Sequence, residues 1–381
     1  MDLQTHPYAL RDAARIVTPA LLVYPELVEA NIRATLQLTG GDANRWRPHI
    51  KTAKIGAIIR RLIGHGIKCL KCATTLELLI ACEAGAEDVL LAFAVTGANA
   101  RRVLELARHF PKTRISVLVE SPEQAVSWNG TGIGVFIDVN PGMDRTGIGQ
   151  ARVDDICELA GKIGAAFRGL HYYDGHIAAD KTIAHAGYDQ LIEIVSALAQ
   201  AGIQPGEVIT SGTPAAPFAL THAGLRSGSF VHRISPGTVV YNDTTSLQQL
   251  AGLGYTAAAV VMATVISHPK PGMFTCDAGH KSISADAGMP TCAVAGRPDL
   301  RPLKPSEEHL PVDASSSGDV PAIGTKIYLI PRHVCPTVNN FDEALMVVGG
   351  EVRGLERVNA RGHESPLVLN HDSSREPVVR G

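Results

Sequence analysis

Short apolar runs alternate with helical segments over roughly the first two thirds of the chain, and few folds accommodate such a pattern. Nine runs have the length and β-branched character of strands, namely Ala20–Tyr24, Trp46–Ile50, Ile67–Cys72, Asp88–Phe93, Arg114–Val119, Ile133–Val139, Phe167–Tyr173, Glu207–Ser211 and Phe230–Ile234. The helical segments between them include Leu76–Ala84, Ala98–His109, Val153–Ile163 and Tyr188–Ala201. This alternation predicts an α/β fold with a closed (β/α)8 barrel of the TIM type. Nine runs compete for eight places, so the last either completes the barrel or begins a second domain.

The pattern changes at about Leu250, where helical periodicity becomes scarce. Strand-like runs now follow one another with turn-forming residues between them, at Ala257–His268, Met273–Asp277, Lys326–Ile330 and Ala344–Val348. Consecutive strands joined by turns are typical of an antiparallel sheet. We therefore expect a barrel over residues 18–245 and a mostly antiparallel β domain built from residues 1–17 and 246–365. Residues 366–381 carry little periodicity and are expected to form a frayed tail.

Charge and cysteine content restrict the partners and the compartment. The net charge of −2 over 381 residues provides no electrostatic attraction for nucleic acid or an anionic membrane. The segment Met1–Pro7 lacks the basic and apolar regions of a signal peptide, and no apolar run approaches the roughly 20 residues that span a bilayer. Seven scattered cysteines suit reduced thiols. We therefore expect a cytoplasmic protein.

Lys51 lies where the run Trp46–Ile50 ends and the next helical segment begins. In a barrel of alternating strands and helices, this end of each strand faces the active site. One interpretation is a solvated lysine paired with a carboxylate. The other is a lysine whose amine holds an aldehyde cofactor covalently. Position alone favours the first.

Two later turns combine glycine with small hydroxyl residues. Gly212 and Thr213 follow one strand run, and Gly237 and Thr238 follow the next. Glycine lets the backbone approach a phosphate, which hydroxyl and N–H groups can then surround. Each turn alone is weak support because the same residues occur in ordinary turns. Together they match the phosphate site that barrels commonly carry after their late strands.

Further polar clusters follow the middle strands and occur in the second domain. Arg145 lies in a glycine-rich turn after Ile133–Val139, where a surface arginine is an equally good interpretation. The segment from His171 to His176 ends another strand, and we expect Tyr173 and His176 to face the site. His333 and Cys335 are two residues apart, which places both side chains on one face of an extended segment, close enough to share a metal ion. A buried cysteine beside a hydrogen-bonded histidine is the alternative.

The motif Arg-Pro-His-Ile-Lys-Thr around Lys51 resembles the cofactor-lysine motif of the D-threonine aldolase and D-serine dehydratase family. The two phosphate turns, the arginine turn and the His-x-Cys pair also resemble segments of that family, in the same order. The resemblance implies fold-type III enzymes that use pyridoxal 5′-phosphate (PLP) on an alanine-racemase-like barrel. By this resemblance Lys51 carries PLP, Arg145 and Tyr173 approach its ring, and the two glycine turns hold its phosphate.

The same resemblance implies a divalent metal ion on His333 and Cys335. Dehydratases of this family use His-x-Cys for zinc, whereas characterised aldolases use His-x-Asp. A thiolate ligand favours zinc over manganese or magnesium, which are the alternatives. The sequence departs from both branches elsewhere, since aldolases carry a histidine where Asp174 stands and dehydratases carry one near Tyr173.

The implied function is a PLP- and metal-dependent lyase acting on small D-3-hydroxy-α-amino acids. Aldol cleavage of D-threonine-type substrates to glycine and an aldehyde is the first interpretation, with Lys51, His176 and Tyr173 as catalytic residues. Dehydration of D-serine or D-3-hydroxyaspartate to a 2-oxo acid and ammonia is the alternative. An amino-acid racemase is a third, and a single-barrel PLP carrier would lack the second domain. The resemblance also implies a homodimer in which the β domain of one chain closes over the barrel of the other.

Overall fold

A computed structural model describes residues 7–178 and 180–366 of the chain. The frayed tail expected for residues 366–381 therefore lies outside the described residues, except for residue 366. The strands are β1 Ala20–Val23, β2 Cys69–Cys72, β3 Asp88–Leu91, β4 Arg114–Val119, β5 Gly134–Asn140, β6 Ile148–Gly149, β7 Phe167–Tyr172, β8 Glu207–Thr210, β9 Val231–Ile234, β10 Ala259–Lys270, β11 Met273–Cys276, β12 Cys292–Val294, β13 Arg301–Pro302, β14 Leu310–Asp313, β15 Lys326–Pro331, β16 Glu343–Val348 and β17 Glu351–Arg357.

The α-helices alternate with strands in the first part of the chain and are sparse in the second. They are α1 Pro25–Leu38, α2 Gly56–Gly64, α3 Thr75–Glu83, α4 Gly97–His109, α5 Pro122–Val126, α6 Val153–Ile163, α7 Lys181–Gln200, α8 Ala216–Thr221, α9 Ala223–Ser227, α10 Thr244–Gln249 and α11 Val334–Asn339. In α7 the buried positions Tyr188, Leu191, Val195 and Leu198 recur at helical spacing, so one face packs on the barrel. None of the described helices is long and apolar enough to cross a membrane.

Parallel strands form the predicted barrel. Seven of them follow the order β2-β3-β4-β5-β7-β8-β9, and the short β6 pairs with β5. The segment from Trp46 to Ile50 closes the ring, because Arg47 N–H donates to Ile234 O on one side and Ile50 N–H donates to Lys71 O on the other. Its pairing is limited to isolated bridges. Pro48 has no N–H to donate, which contributes to the broken ladder in this eighth position.

The first strand run lies in the second sheet, whereas the sequence pattern left open only whether the last run completes the barrel or begins a second domain. β1 pairs antiparallel with β10, where Ala20 lies opposite Met262, and parallel with β16, where Val23 lies opposite Met346. The run at β9 completes the barrel instead. Periodicity cannot distinguish these outcomes, because both places bury an apolar strand on two faces.

The second sheet is mostly antiparallel, as expected. Its order is β13-β14-β11-β10-β1-β16-β17, and β15 connects β10 to β12. One of its two faces covers a separate apolar core that includes Val265, Phe274, Leu310 and Leu329. α1 ties this sheet to the barrel, since the side chain of Asn31 donates to Val240 O and Thr256 O.

The interior of the barrel is only partly apolar. Leu90, Leu118, Phe136 and Ile209 form a small buried cluster. Beside it lies a buried ionic network in which Arg47, Asp88, Glu207, Arg168 and Arg233 are connected. Charged side chains inside the barrel are tolerated here because each one contacts a partner of opposite sign.

Candidate active site

A cavity of about 290 Å³ lies where the carboxyl ends of the barrel strands meet the second domain. Its walls come from six parts of the chain. They are lined by His49, Lys51, Thr52, Tyr173, Gly175, Gly212, Thr213, Pro214, Ser235, Gly237, Thr238, Asp243, Thr245, Ser246, Gln249, Ala287, Arg332, His333 and Cys335. The structure thus brings together most of the site residues expected from the sequence, with Arg145 and His176 outside this set.

Lys51 lies in the cavity wall directly after the segment that closes the barrel. Its neighbourhood is rich in basic groups. The ammonium group of Lys54 donates to Lys51 O. Burial, followed by the charges of Lys51 and Lys71, lowers the pKa of His49 well below its usual value. A neutral imidazole and a half-buried amine therefore stand side by side at the end of this segment.

The two glycine turns approach the cavity as a phosphate cradle requires. A Cβ atom on Gly237 would lie 2.2 Å from His49 O, and one on Gly212 would lie 3.0 Å from the Tyr173 ring. Next to Gly212, the Oγ of Ser211 is buried and has no hydrogen-bond partner among the described residues. Thr213 and Thr238 add cavity-lining hydroxyl groups. These turns fit the phosphate of PLP, because they combine close backbone approach with the unpaired hydroxyl of Ser211.

Tyr173 separates the main cavity from Arg145. The Arg145 guanidinium carbon lies 4.9 Å from the centroid of the Tyr173 ring, a cation–π contact. Tyr173 also lines a second, much smaller cavity together with Arg145 and Asp138. Gly175 allows this ring position, since a Cβ atom there would lie 2.2 Å from the Tyr173 hydroxyl. Arg145 thus acts on the main cavity through Tyr173 in this conformation.

A buried chain of polar groups beside Tyr173 was not singled out from the sequence. The Nζ atom of Lys71 lies 3.4 Å from His171 Nε2, and His171 Nδ1 lies 2.7 Å from Asp138 Oδ1. Burial, followed by the charge of Lys51, lowers the pKa of Lys71 to about 7. Burial and the charge of Lys71 also lower the pKa of His171, although Asp138 opposes this. The available signal was the alternation of β7, which places His171 on the same face as Tyr173.

Two candidate bases next to Tyr173 do not line the cavity. His176 is exposed, and Asp174 is fully buried, where the Tyr188 hydroxyl donates to it. Burial raises the pKa of Asp174 to about 6, although the Tyr188 hydrogen bond opposes this shift. The histidine that aldolases carry at position 174 is therefore replaced by a carboxylate that faces Tyr188.

His333 and Cys335 line the cavity next to the second glycine turn, where Cys335 Sγ lies 3.7 Å from Thr238 Oγ1. Cys335 Sγ lies 3.0 Å from Thr52 Oγ1, next to Lys51 in sequence. Burial alone would raise the pKa of Cys335, but His333, Lys51 and Thr52 lower it. His333 Nδ1 lies 2.6 Å from Asp286 Oδ2, a contact that orients the ring, and the same ring also hydrogen-bonds the Cys335 thiol. A histidine oriented by a carboxylate, beside an acidified thiol, fits a metal site with open positions.

The described residues contain no group of three or more side chains that could together hold a metal ion. The metal ion on His333 and Cys335 therefore stays a prediction.

Asp243 fixes the pair over the barrel. One of its carboxylate oxygens accepts from Ser246 N–H at the start of α10, and the other accepts from Val334 N–H, between His333 and Cys335. Lys51 and Cys335 thus line one cavity within a single chain. Within this chain, contacts to Thr52 and Asp243 hold the pair beside Lys51, and the expectation that the β domain of one chain closes over the barrel of a second copy stays a prediction.

Two family models match the chain and together cover most of it. Residues 25–244 match the family described as alanine racemase, N-terminal domain, and residues 258–347 match a serine dehydratase domain.

Curated relatives with related names match almost the whole chain. A D-threonine aldolase of Arthrobacter sp. is 29% identical over 367 residues, covering 92% of this chain and 94% of the relative. A D-threo-3-hydroxyaspartate dehydratase of Delftia sp. is 26% identical, covering 90% of this chain and 97% of the relative. Among solved structures, a D-threonine aldolase from Filomicrobium marinum superimposes with a TM-score of 0.81 at 28% identity, covering 91% of this chain and 96% of that one.

Proposed function

The chain belongs to the alanine racemase N-terminal domain family, and we propose on that premise that it is a PLP-dependent lyase acting on D-3-hydroxy-α-amino acids. The observation that carries the proposal is the shared cavity of Lys51, the two glycine turns and the His333–Cys335 pair. A simple racemase has no use for such a pair. The relatives named as aldolases and dehydratases support the same class of substrate.

Lys51 would hold PLP covalently, with its phosphate between the turns of Gly212–Thr213 and Gly237–Thr238. When bound, PLP supplies an electron sink for the α-carbon of the substrate. Tyr173 lines the same cavity and presents its ring to the cofactor region, with Arg145 behind it. The guanidinium keeps its proton, so Arg145 would contribute a fixed positive charge at this position.

His333 and Cys335 would hold a divalent ion, and zinc is the ion that a thiolate ligand favours. Such an ion would supply a Lewis acid for the 3-hydroxyl group of the substrate. Asp286 orients the His333 ring, and Asp243 fixes the backbone between the two ligands. Both acidic residues therefore position the pair.

Aldol cleavage is the reaction that we propose first, because the Arthrobacter and Filomicrobium proteins are named as aldolases. It requires a base that takes the proton of the 3-hydroxyl group. His176 is our candidate. It directly follows Gly175, which lines the cavity, but its ring is exposed and must turn inward to reach a substrate.

Dehydration is the second candidate, and two observations favour it. Cys335 matches the dehydratase pair, and Asp174 faces Tyr188 in place of the aldolase histidine. In this reaction Lys51 takes the α-proton and the 3-hydroxyl group leaves. The two reactions therefore differ in which group gives up its proton.

Product analysis on D-threonine separates the candidates. We expect glycine and acetaldehyde from the purified protein supplied with PLP and zinc, and a loss of product on chelation. Formation of 2-oxobutanoate and ammonia would replace the aldolase assignment with the dehydratase one. Lys51→Ala is the control for background chemistry, and interconversion of D- and L-alanine without cleavage would indicate a racemase.

We also propose that the protein is a homodimer, as the alanine-racemase-like fold implies. Phe93 supports this, because it follows β3 at the active-site end of the barrel and is 56% exposed. A second copy that covers this edge would bury it. Light scattering in solution should give about twice the 40.3 kDa mass of the chain.

A further inference from the structure

Arg332 is a basic residue of the cavity wall to which the proposed chemistry gives no role. It immediately precedes His333 and lines the same cavity. Lys51, the other cavity-lining residue with a long basic side chain, is already assigned to the cofactor. The charge of Arg332 is permanent at any physiological pH, so the ligand group at this end of the cavity has to be compatible with a fixed positive charge.

Hydrogen bonds from its backbone and from one guanidinium nitrogen hold Arg332 in place. Its N–H donates to Thr291 O at 2.7 Å, and its carbonyl oxygen accepts from Thr245 Oγ1 at 3.0 Å. Nη1 donates to Met289 O at 2.9 Å, which orients the guanidinium plane. The side chain is thus preorganised before a ligand arrives.

Arg332 has no carboxylate partner within residues 7–178 and 180–366, in contrast to Arg297, which pairs with Asp299. The two nearby acidic residues are already engaged. Both oxygens of Asp243 accept backbone N–H groups, and Asp286 accepts from His333 and Ser284. The remaining donors of the Arg332 guanidinium are therefore available to a ligand, and a carboxylate matches their geometry best.

The surroundings indicate which carboxylate. The proposed metal pair addresses the 3-hydroxyl group, and Arg332 lines the same cavity as this pair, so we assign to Arg332 the substituent on the same carbon. Thr245 and Gln249 line the cavity alongside Arg332, and no large aliphatic side chain occurs in its lining. A polar, anionic substituent suits this end better than a methyl or phenyl group.

Building on the proposed function, we propose that Arg332 binds a carboxylate on the β-carbon of the substrate. The preferred substrates are then D-3-hydroxy-α-amino acids whose side chain ends in a carboxylate, of which D-3-hydroxyaspartate is the shortest. A site that pairs a half-buried arginine with this group discriminates against analogues that lack it, because the guanidinium then has no anionic partner.

The test compares two substrates in three variants of the holoenzyme. We expect kcat/KM of the wild type to be higher for D-3-hydroxyaspartate than for D-threonine. Arg332→Gln should reduce the ratio of the two kcat/KM values roughly 10- to 100-fold, the usual effect of a charge-assisted hydrogen-bonded pair. Arg332→Lys should recover part of the ratio, and Arg101→Gln, an exposed arginine on α4, should leave it unchanged.

A binding measurement provides a readout independent of turnover. By calorimetry, D-aspartate should bind the wild type more tightly than D-alanine, and Arg332→Gln should abolish the difference. An equal loss on both substrates would assign Arg332 to the α-carboxylate, and no loss would remove it from the site; both outcomes overturn the inference while the proposed function stands. No turnover of any D-3-hydroxy amino acid by the wild type would instead overturn the function, and the inference with it.

Discussion

Arg47 donates two parallel hydrogen bonds to Glu207, from Nε at 2.7 Å and from Nη2 at 2.8 Å, inside the barrel. Neither side chain is more than 3% exposed. Arg47 also donates to Asp88 at 2.8 Å and to Leu70 O at 3.1 Å. Because Arg47 lies four residues before Lys51, this bonding anchors the segment that presents the proposed cofactor lysine.

Replacing Arg47 with leucine should destabilise the protein severely. The change leaves Asp88 and Glu207 buried with one cation fewer, and breaking such a pair usually costs about 3–5 kcal/mol. Urea denaturation followed by circular dichroism measures the loss. Arg114→Leu is the matched control, because Arg114 also pairs with Asp88 but is 64% exposed and should cost less than about 1 kcal/mol. Equal losses in the two variants would contradict a special role for the buried pair.

Borohydride reduction of the yellow holoprotein should fix PLP on Lys51. Lys54 and Lys71 lie close enough to influence the same site, so the modified lysine must be identified by peptide mapping. Lys51→Ala should remove the reducible adduct, and Lys68→Ala, an exposed lysine, should retain it. Recovery of PLP on Lys54 or Lys71 in the wild type would refute the assignment.

Metal analysis should find about one ion per chain, by analogy with single open catalytic sites. The His333→Ala/Cys335→Ala double variant should lose it, because both proposed ligands are removed. The matched control is His309→Ala/Cys157→Ala, which removes the same residue types outside the cavity. Unchanged metal content in the first variant would exclude the pair.

Lys71 should make stability depend on pH in a defined direction. Its pKa is lowered to about 7 from the usual 10.5, so the folded protein binds fewer protons than the unfolded chain between these values. The contribution of Lys71 to the free energy of unfolding therefore rises with pH between these two pKa values, by about 1.4 kcal/mol per pH unit. Below the folded-state pKa of about 7, the full cost of burying the charged amine is present. Lys71→Met should be more stable than the wild type at about pH 6, with an advantage that shrinks towards about pH 9. The same series with Lys68→Met should show no such trend.

Mixing two inactive variants tests whether one chain builds the whole site. Lys51 and Cys335 line the same cavity, so a mixture of Lys51→Ala and Cys335→Ala should show no more activity than the two variants measured separately. Subunit exchange is verified with differently tagged chains. Restored activity would mean that the pair acts across an interface.

Local sequence patterns were sufficient to predict the barrel, the second sheet and several residues of the cavity wall. Lys51, Gly212 and Gly237 could be placed because each follows a strand, and all such strand ends meet at one edge of a parallel barrel. The spacing of His333 and Cys335 placed them on one face, but their assignment to a metal ion came from the family resemblance.

Contacts between distant segments were beyond sequence reasoning. The side chain of Asp174 faces Tyr188 on α7, and Lys71 faces His171 across the barrel, and neither orientation has a periodic signal. The direction in which Arg332 is held depends on Met289 and Thr245, which belong to two other parts of the fold. Side-chain orientation in loops is determined by packing that only the assembled molecule contains.

The position of β1 affects the order in which the molecule can form during synthesis. Its partners, Ala259–Met262 and Leu345–Met346, leave the ribosome long after β1 does. The barrel strands pair mostly with their neighbours in sequence, so the barrel can assemble while β1 still waits with an exposed apolar strand. During synthesis, a chaperone or transient contact with the barrel then has to shield that strand. A chain truncated after the barrel should be prone to aggregation, because β1 never finds its partners.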